Sequence, residues 1–244
     1  MKAVILAAGM GSRLRPLTYT TPKCLIRVNG KPILQNALEH LSFNGITAAV
    51  IVIGHLGKKV RDFIGDEFHN VGLTYVENKN FRITNNIYSL WLAKEYLNDD
   101  IILLEDDIFF EHAVLERLCN HNYPNVIVTD LYHSFMDGTG INVENNIVTE
   151  IVLKENDSRK ATCSPSLKTV NIYKFSRQFM EAHMIRSLDE AIAEGHHDVF
   201  YEFALSKIVK SRTVRLVVLQ IAGLKWFEID KPEDLREAER LFKK

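Results

Sequence analysis

The chain has 244 residues, 46% hydrophobic and 25% charged, with 30 Lys+Arg against 31 Asp+Glu and a formal net charge of −1. These ordinary globular values argue against wholesale disorder, and the near-zero charge argues against bulk nucleic acid or an anionic membrane as the main partner. The longest apolar run, residues 48–53, falls far short of the ~20 residues of a membrane span.

Gly9, Gly11 and Arg13 interrupt the apolar N-terminus before a signal-peptide cleavage site. The three cysteines, Cys24, Cys119 and Cys163, are odd in number and lack C-x-x-C spacing, which argues against a disulfide framework or a structural zinc site. The expectation is a reduced, cytoplasmic, enzyme-like protein.

In chain order, residues 3–7 read as a buried strand opening into glycines. Lys31-Pro32-Ile33 starts a helix that Asn44-Gly45 closes, with Ile33, Leu34, Ala37, Leu38 and Leu41 on one face. Residues 49–53 form a second strand, 58–64 a helix, 73–76 a third strand, 86–97 a helix and 101–104 a fourth strand ending on Glu105-Asp106-Asp107. The second half is more mixed, with strands near 126–129, 140–143, 147–153 and 168–173, and helices near 177–193, 199–210 and 232–242. The βαβα rhythm predicts an α/β fold with a mostly parallel sheet and helices on both faces. Ligands of such sheets bind beyond the carboxyl ends of the strands.

The loop after the first strand reads Leu6-Ala7-Ala8-Gly9-Met10-Gly11-Ser12-Arg13-Leu14. Small residues let a ligand approach the backbone, whose N–H groups cradle phosphates. Leu14 stands where both a Walker loop and a dinucleotide fingerprint require glycine, so neither pattern is met. The first 38 residues carry six basic groups and no acid, which suits a polyphosphate, whereas residues 99–111 carry six acids and no base.

The pattern L-A-A-G-x-G-S-R-L-x-P-L-T followed by P-K-x-L resembles the signature of nucleotidyltransferases that activate sugar phosphates and small alcohol phosphates. The resemblance implies a Rossmann-like mixed sheet of the nucleotide-diphospho-sugar transferase type. It implies one domain over 1–244, with a nucleotide-binding half at about 1–110 and an acceptor-binding half at about 111–244. It assigns Leu6, Ala7, Ala8, Gly9, Gly11 and Ser12 to the nucleotide, and Arg13 and Lys23 to charge at the reacting phosphates.

The same resemblance gives a magnesium-binding role to Asp107, leaving Asp106 as a neighbour or a second ligand. Asp230 opens a helix and reads as an N-cap, with Glu233 completing a capping box. The resemblance makes it the second Mg²⁺ ligand, with Glu228 a weaker candidate. His55, after a strand, is a further candidate for lining the nucleotide site.

The segment Thr84-Asn85-Asn86-Ile87-Tyr88-Ser89-Leu90 resembles bacterial phosphocholine and phosphonate cytidylyltransferases. It implies CTP as the nucleotide, read by Asn85, Asn86 and Ser89, because carboxamides donate and accept at once. The segments Met136-Asp137-Gly138-Thr139 and Lys168-Thr169-Val170-Asn171-Ile172-Tyr173 resemble the same group. Lys168, Thr169 and Asn171 become candidates for a small phosphate or phosphonate acceptor. Asp198, Tyr201 and Glu202 become candidates for its amine end, with Trp226 as an aromatic face or, like Phe200 and Tyr201, a core residue.

Some sugar-phosphate members carry a hexapeptide-repeat β-helix. This sequence stops at Lys244 after one helix, and the expectation is the small-acceptor branch. The implied partners are CTP and the acceptor, without nucleic acid or membrane, and a homodimer is left open. A UTP- or dTTP-dependent sugar-1-phosphate enzyme and a non-catalytic nucleotide-sensing module remain alternatives.

Overall fold

The computed structural model describes residues 1–133, 136, 138–153 and 166–243. Cys163 and Asp137 lie outside them; Cys24 and Cys119 are free thiols. The first half runs β1 (Lys2–Ala7), three 3₁₀ turns (Ser12–Leu14, Leu17–Tyr19, Lys23–Leu25), β2 (Arg27–Val28), β3 (Lys31–Pro32), α1 (Ile33–Phe43), β4 (Ala48–Ile53), α2 (Gly57–Ile64), β5 (Glu67–Phe68), β6 (Val71–Glu77), α3 (Asn86–Leu92) and β7 (Ile101–Glu105). The second half runs β8 (Ile108–Phe110), α4 (His112–Cys119), β9 (Val126–Leu131), β10 (Gly140–Glu144), β11 (Ile147–Val152) and β12 (Leu167–Phe175). There follow α5 (Arg177–Phe179), a π-helical turn (Met180–Met184), α6 (Ile185–Ala193), α7 (Glu202–Ser211), β13 (Val217–Gln220), β14 (Trp226–Glu228) and α8 (Pro232–Leu241).

Among the described residues, ten strands form one sheet in the order β10-β11-β13-β9-β12-β7-β1-β4-β6-β5. The centre of the first half, β7-β1-β4-β6, is parallel. Its strands are continuous apolar runs because both faces are covered. Ala3, Ile5 and Ala7 pack with Leu34, Leu38, Val60 and Leu115 of α1, α2 and α4. Val4 and Leu6 pack on the other face with Leu90, Met184 and Leu205 of α3, the π-turn and α7. The expected α/β fold with helices on both faces is therefore present. Beyond that core the sheet is mixed: β12 runs antiparallel to both β7 and β9, whereas β13 runs parallel to β9.

A third, smaller core joins Leu14, Ile26, Val28 and Ile33 to Phe109, Ile229 and Ala238. It fastens the C-terminal β14–α8 segment onto the glycine loop and so brings distant charges together. The expected helix over 86–97 ends at Leu92. There the N–H of Ala93 bonds back only three residues, to Leu90, and the chain continues as a 3₁₀ turn. The helix expected from 199 begins at Glu202, because the Tyr201 N–H is taken by the Asn86 side chain.

Candidate active site

A cleft of about 220 Å³ opens beyond the carboxyl ends of β1, β6 and β7. Gly9 borders it, and a Cβ at that position meets nothing within 4 Å. Gly11 serves the loop from beneath: its φ is +55°, and a Cβ would lie 2.9 Å from Thr18 Cγ2 and 3.2 Å from Lys23 Cβ. Thr18 Oγ1 also donates to the Gly11 carbonyl at 2.8 Å. A side chain at Gly11 would thus push against the segment that sets Lys23. Leu6, Ala8, Arg13 and Lys23 line the cleft; Ala7, Gly11 and Ser12 shape the loop without lining it.

Lys23 is the hub. Its ammonium lies 2.7 Å from Asp107 Oδ2 and 2.7 Å from Asp230 Oδ1, although Asp230 is 207 residues away in sequence. Arg13 Nη2 reaches the same Asp230 oxygen at 2.8 Å. The Ile229 N–H donates to the Asp107 carbonyl at 2.9 Å, so the two acidic segments are tied through the backbone.

The helix cap differs from the sequence expectation. The N-cap of α8 is Lys231, and Asp234, not Glu233, supplies the carboxylate that accepts the N–H groups of Asp230 and Lys231. Pro232 takes the first helical position, which moves the cap one residue on and leaves the Asp230 carboxylate free for Arg13 and Lys23.

Burial opposes charge on Lys23, but Asp107 and Asp230 outweigh it and hold its pKa above the ordinary lysine value. Burial likewise pulls Asp230 up, and Lys23 with Arg13 overcomes this to hold it below the usual carboxylate value. Asp106 has less help: burial, relieved in part by Lys23, pushes it to about 7.

Asp107 Oδ1 and Asp106 Oδ2 are buried without a hydrogen-bond partner. Such orphaned oxygens fit a divalent cation, since a buried carboxylate oxygen is costly to leave unpaired. Among the described residues no three His, Cys, Asp or Glu side chains are grouped to hold a metal by themselves. The Asp107–Asp230 pair suits an ion that takes its remaining ligands from phosphates and water.

Along α3, Asn85 caps the helix, its Oδ1 accepting the Asn86 N–H at 2.8 Å and its Nδ2 donating to the Asp198 carbonyl at 3.3 Å. Asn86 bridges the halves: Oδ1 accepts the Tyr201 N–H at 2.8 Å, and Nδ2 donates to Glu105 Oε1 at 3.1 Å. Ser89 Oγ accepts from Asn78 Nδ2 at 3.0 Å. All three predicted residues border the cleft, together with Asn78 and Glu105, which sequence reasoning did not assign. His55 does not line it; Nε2 donates to the Thr18 carbonyl at 3.1 Å and steadies the loop.

The acceptor candidates divide. Asn171 and Glu202 line the cleft, as do Gly138, Thr139, Phe200 and Glu228. Lys168 is buried behind it, 2.8 Å from Glu228 Oε2 and beneath Gly138, whose added Cβ would meet Lys168 Nζ at 3.0 Å. Burial lowers the Lys168 pKa, but Glu228 more than compensates and raises it.

Thr169 is fully buried, donating to the Tyr173 hydroxyl at 3.0 Å and accepting the Asn171 N–H at 3.0 Å. It stabilises a register shift in β12, within which Asn171 has a φ of +58°. That bulge re-aims Asn171 into the cleft. Tyr201 is sealed in the core against Tyr173, and Trp226 donates to Asp130 Oδ2 at 2.8 Å with Lys168 over its ring at 5.8 Å. Asp198 is exposed and offers the cleft only its carbonyl link to Asn85.

The glycine loop, the strand-end acids and the topology agree with comparisons to known proteins. The Nucleotidyl transferase family model matches residues 2–132, and the chain belongs to that family of enzymes. It is 33% identical over 243 residues to the CMP-5'-(3-aminopropyl)phosphonate synthase of Streptomyces rubellomurinus, covering 99% of this chain but 39% of that longer protein. It is 29% identical to the choline-phosphate cytidylyltransferase of Streptococcus pneumoniae over 100% of this chain and 99% of that one. The solved structure of the CTP:phosphocholine cytidylyltransferase from Streptococcus pneumoniae superposes with a TM-score of 0.80 at 25% identity, covering 99% of each chain. No helix among the described residues is long and apolar enough to cross a membrane.

Proposed function

We propose that the chain is a magnesium-dependent cytidylyltransferase. It transfers CMP from CTP to a small amine-bearing phosphonate or phosphate, the class of 2-aminoethylphosphonate, phosphoethanolamine and phosphocholine, with release of pyrophosphate. The observation that carries this reading is the single ion network of Arg13, Lys23, Asp107 and Asp230 beside a glycine loop at the strand ends. The names of the two relatives above support CTP and the acceptor class. In this reading 1–244 is one catalytic domain working in the cytoplasm.

Asp107 and Asp230 would hold Mg²⁺, which when bound neutralises and orients the phosphates. Leu6 to Ser12 cradle the nucleotide. Asn85, Asn86 and Ser89 face the base; each amide keeps a second N–H and a second lone pair beyond its internal bonds. Arg13 and Lys23 turn from the carboxylates to the α-phosphate and the departing pyrophosphate.

An acceptor phosphate or phosphonate has a second pKa near ~6, so it is largely dianionic at neutral pH and needs no general base. Its oxygen forms the new bond to the α-phosphorus as the bond to the bridging oxygen breaks, and pyrophosphate leaves with that electron pair. Asn171 orients the acceptor, and Lys168 and Thr169 position Glu228 and Asn171 from behind.

Pyrophosphate release from CTP, UTP, dTTP and ATP, each with 2-aminoethylphosphonate, phosphocholine and glucose 1-phosphate, tests the reading. Release with CTP and the amine-bearing acceptors is expected. Release confined to UTP or dTTP with the hexose phosphate refutes it.

A further inference from the structure

The two carboxylates of the Lys23 network hang on one small ribbon. Among the described residues β8 and β14 pair with each other and stand apart from the ten-stranded sheet, with Ile108 opposite Glu228 and Phe110 opposite Trp226. Asp107 immediately precedes β8, and Asp230 lies two residues past β14. The Ile229 N–H on the Asp107 carbonyl extends the pairing to both acids. The spacing between the acids is therefore set inside the ribbon. Their distance from Lys23 and the glycine loop depends on what holds the ribbon in place.

Apolar packing holds one side of it: Phe109 and Ile229 sit in the third core with Leu14 and with Ile33 of α1. Such contacts are non-directional, so they fix the depth of a strand better than its position along its own axis. A directional anchor stands three residues further along α1. Asn36, 4% exposed, takes both backbone groups of Phe110: its Oδ1 accepts the N–H at 3.2 Å and its Nδ2 donates to the carbonyl at 3.1 Å. One turn on, His40 Nε2 donates to the same carbonyl at 3.0 Å.

The Asn36 amide thus takes the place of a third strand on the outer edge of β8. A carboxamide matches an N–H and a C=O side by side in one sense only. Alternate residues of an antiparallel pair turn these groups outward, so a slip of β8 by one residue would leave Asn36 without them. A carboxamide buried on a helix face also carries a desolvation cost that an apolar residue would not. Alignment of the ribbon is what that cost obtains here.

We propose that Asn36, backed by His40, is a positioning residue for nucleotidyl transfer: it fixes the β8–β14 ribbon along α1 and so sets Asp107 and Asp230 against Lys23 and the glycine loop. The proposal rests on the metal role given to that acid pair above. Asn36 touches no substrate; its effect runs through the backbone from Phe110 to Asp107, three residues away.

The test compares Asn36→Leu, nearly isosteric, with His40→Phe, which keeps a ring and removes one of the two bonds to the carbonyl. Mn²⁺ binding is read by electron paramagnetic resonance beside α,β-methylene-CTP, a non-reacting analogue, and kcat is read separately with CTP and 2-aminoethylphosphonate. Asn36→Leu is expected to weaken Mn²⁺ binding about 10-fold and to lower kcat about 10-fold. His40→Phe is expected to shift both in the same direction by less. Ser187→Ala, which removes a buried 3.2 Å bond from α6 to the Ala204 carbonyl of α7, is expected to lower thermal stability alone. Asn36→Leu with wild-type Mn²⁺ affinity and kcat, whatever its stability, overturns the proposal and leaves the cytidylyltransferase reading intact. Should Asn36→Leu not fold, His40→Phe decides by the same criterion. A wild-type protein that binds no Mn²⁺ beside the analogue overturns both.

Discussion

Around Lys23 the protein answers its own charges: one ammonium lies between two carboxylates, and a guanidinium covers the second. Among the described residues, Glu202, in the same cleft, has a carboxylate with no cation bonded to it and one oxygen without a hydrogen-bond partner. The first arrangement pairs its charges internally, and in the proposed reading those partners exchange for phosphates and a metal. The second carries a desolvation cost that holding a proton relieves. In the cytidylyltransferase reading proposed above, a cleft that takes a metal–triphosphate and a small cationic acceptor would use both.

The largest expected effect comes from removing the hub. Lys23→Ala leaves Asp107 and Asp230 buried together without their shared cation. Turnover is expected to fall by about 10³-fold, and stability by about 3 kcal/mol, read by pyrophosphate release and urea unfolding. Asp107→Asn is expected to match the loss of turnover. A Lys23→Ala protein as stable and active as wild type would break the comparison, because the network would then hold nothing.

At Glu202 the sign reverses. Its folded pKa of about 7 lies above the ordinary 4.5. The folded state therefore holds the proton more tightly, and stability falls as pH rises from about 4.5 through about 7. Lys168, Tyr173 and Glu228 face the group and are included in that balance. Glu202→Gln carries no titrating charge there. It is expected to be on the order of 2 kcal/mol more stable than wild type at pH 8 and equal to it near pH 4.5. Equal stability at both pH values would show that Glu202 is already satisfied.

The smallest effect concerns the scaffold of the hub. Asp234→Ala removes the carboxylate that caps Asp230 and Lys231 and is expected to cost about 1 kcal/mol, measured by thermal unfolding. A KM for CTP that rises with it would sharpen the link between the cap and the position of Asp230.

The first strand, the glycine loop and the face of α1 were legible because continuous apolar runs and 3.6-residue spacing leave few alternatives. The charged residues of the Lys23 hub were legible by motif, but their meeting was not. It depends on the third core, which packs Ile229 against Leu14 and Ile26, residues more than 200 positions away.

The acceptor side was the hardest to read. Strand alternation over 168–173 cannot reveal a bulge that carries no glycine, so Thr169 turns inward while Asn171 reaches the cleft. Nor does the sequence say which way an aromatic ring points. Tyr201 and Trp226 went to the core, and Phe200, also a candidate for the core, went to the cleft mouth. Asn78 and Glu105 were missed because their partners, Ser89 and Asn86, sit on a different element.

The central claim is that this cleft joins a cytidylyl group to an aminoalkyl phosphate or phosphonate. A single competition measures it: equal concentrations of CTP, UTP, dTTP and ATP with Mg²⁺, 2-aminoethylphosphonate and glucose 1-phosphate, the products read by mass. The account predicts CMP-linked 2-aminoethylphosphonate as the dominant product. A mixture dominated by UDP- or dTDP-glucose contradicts it.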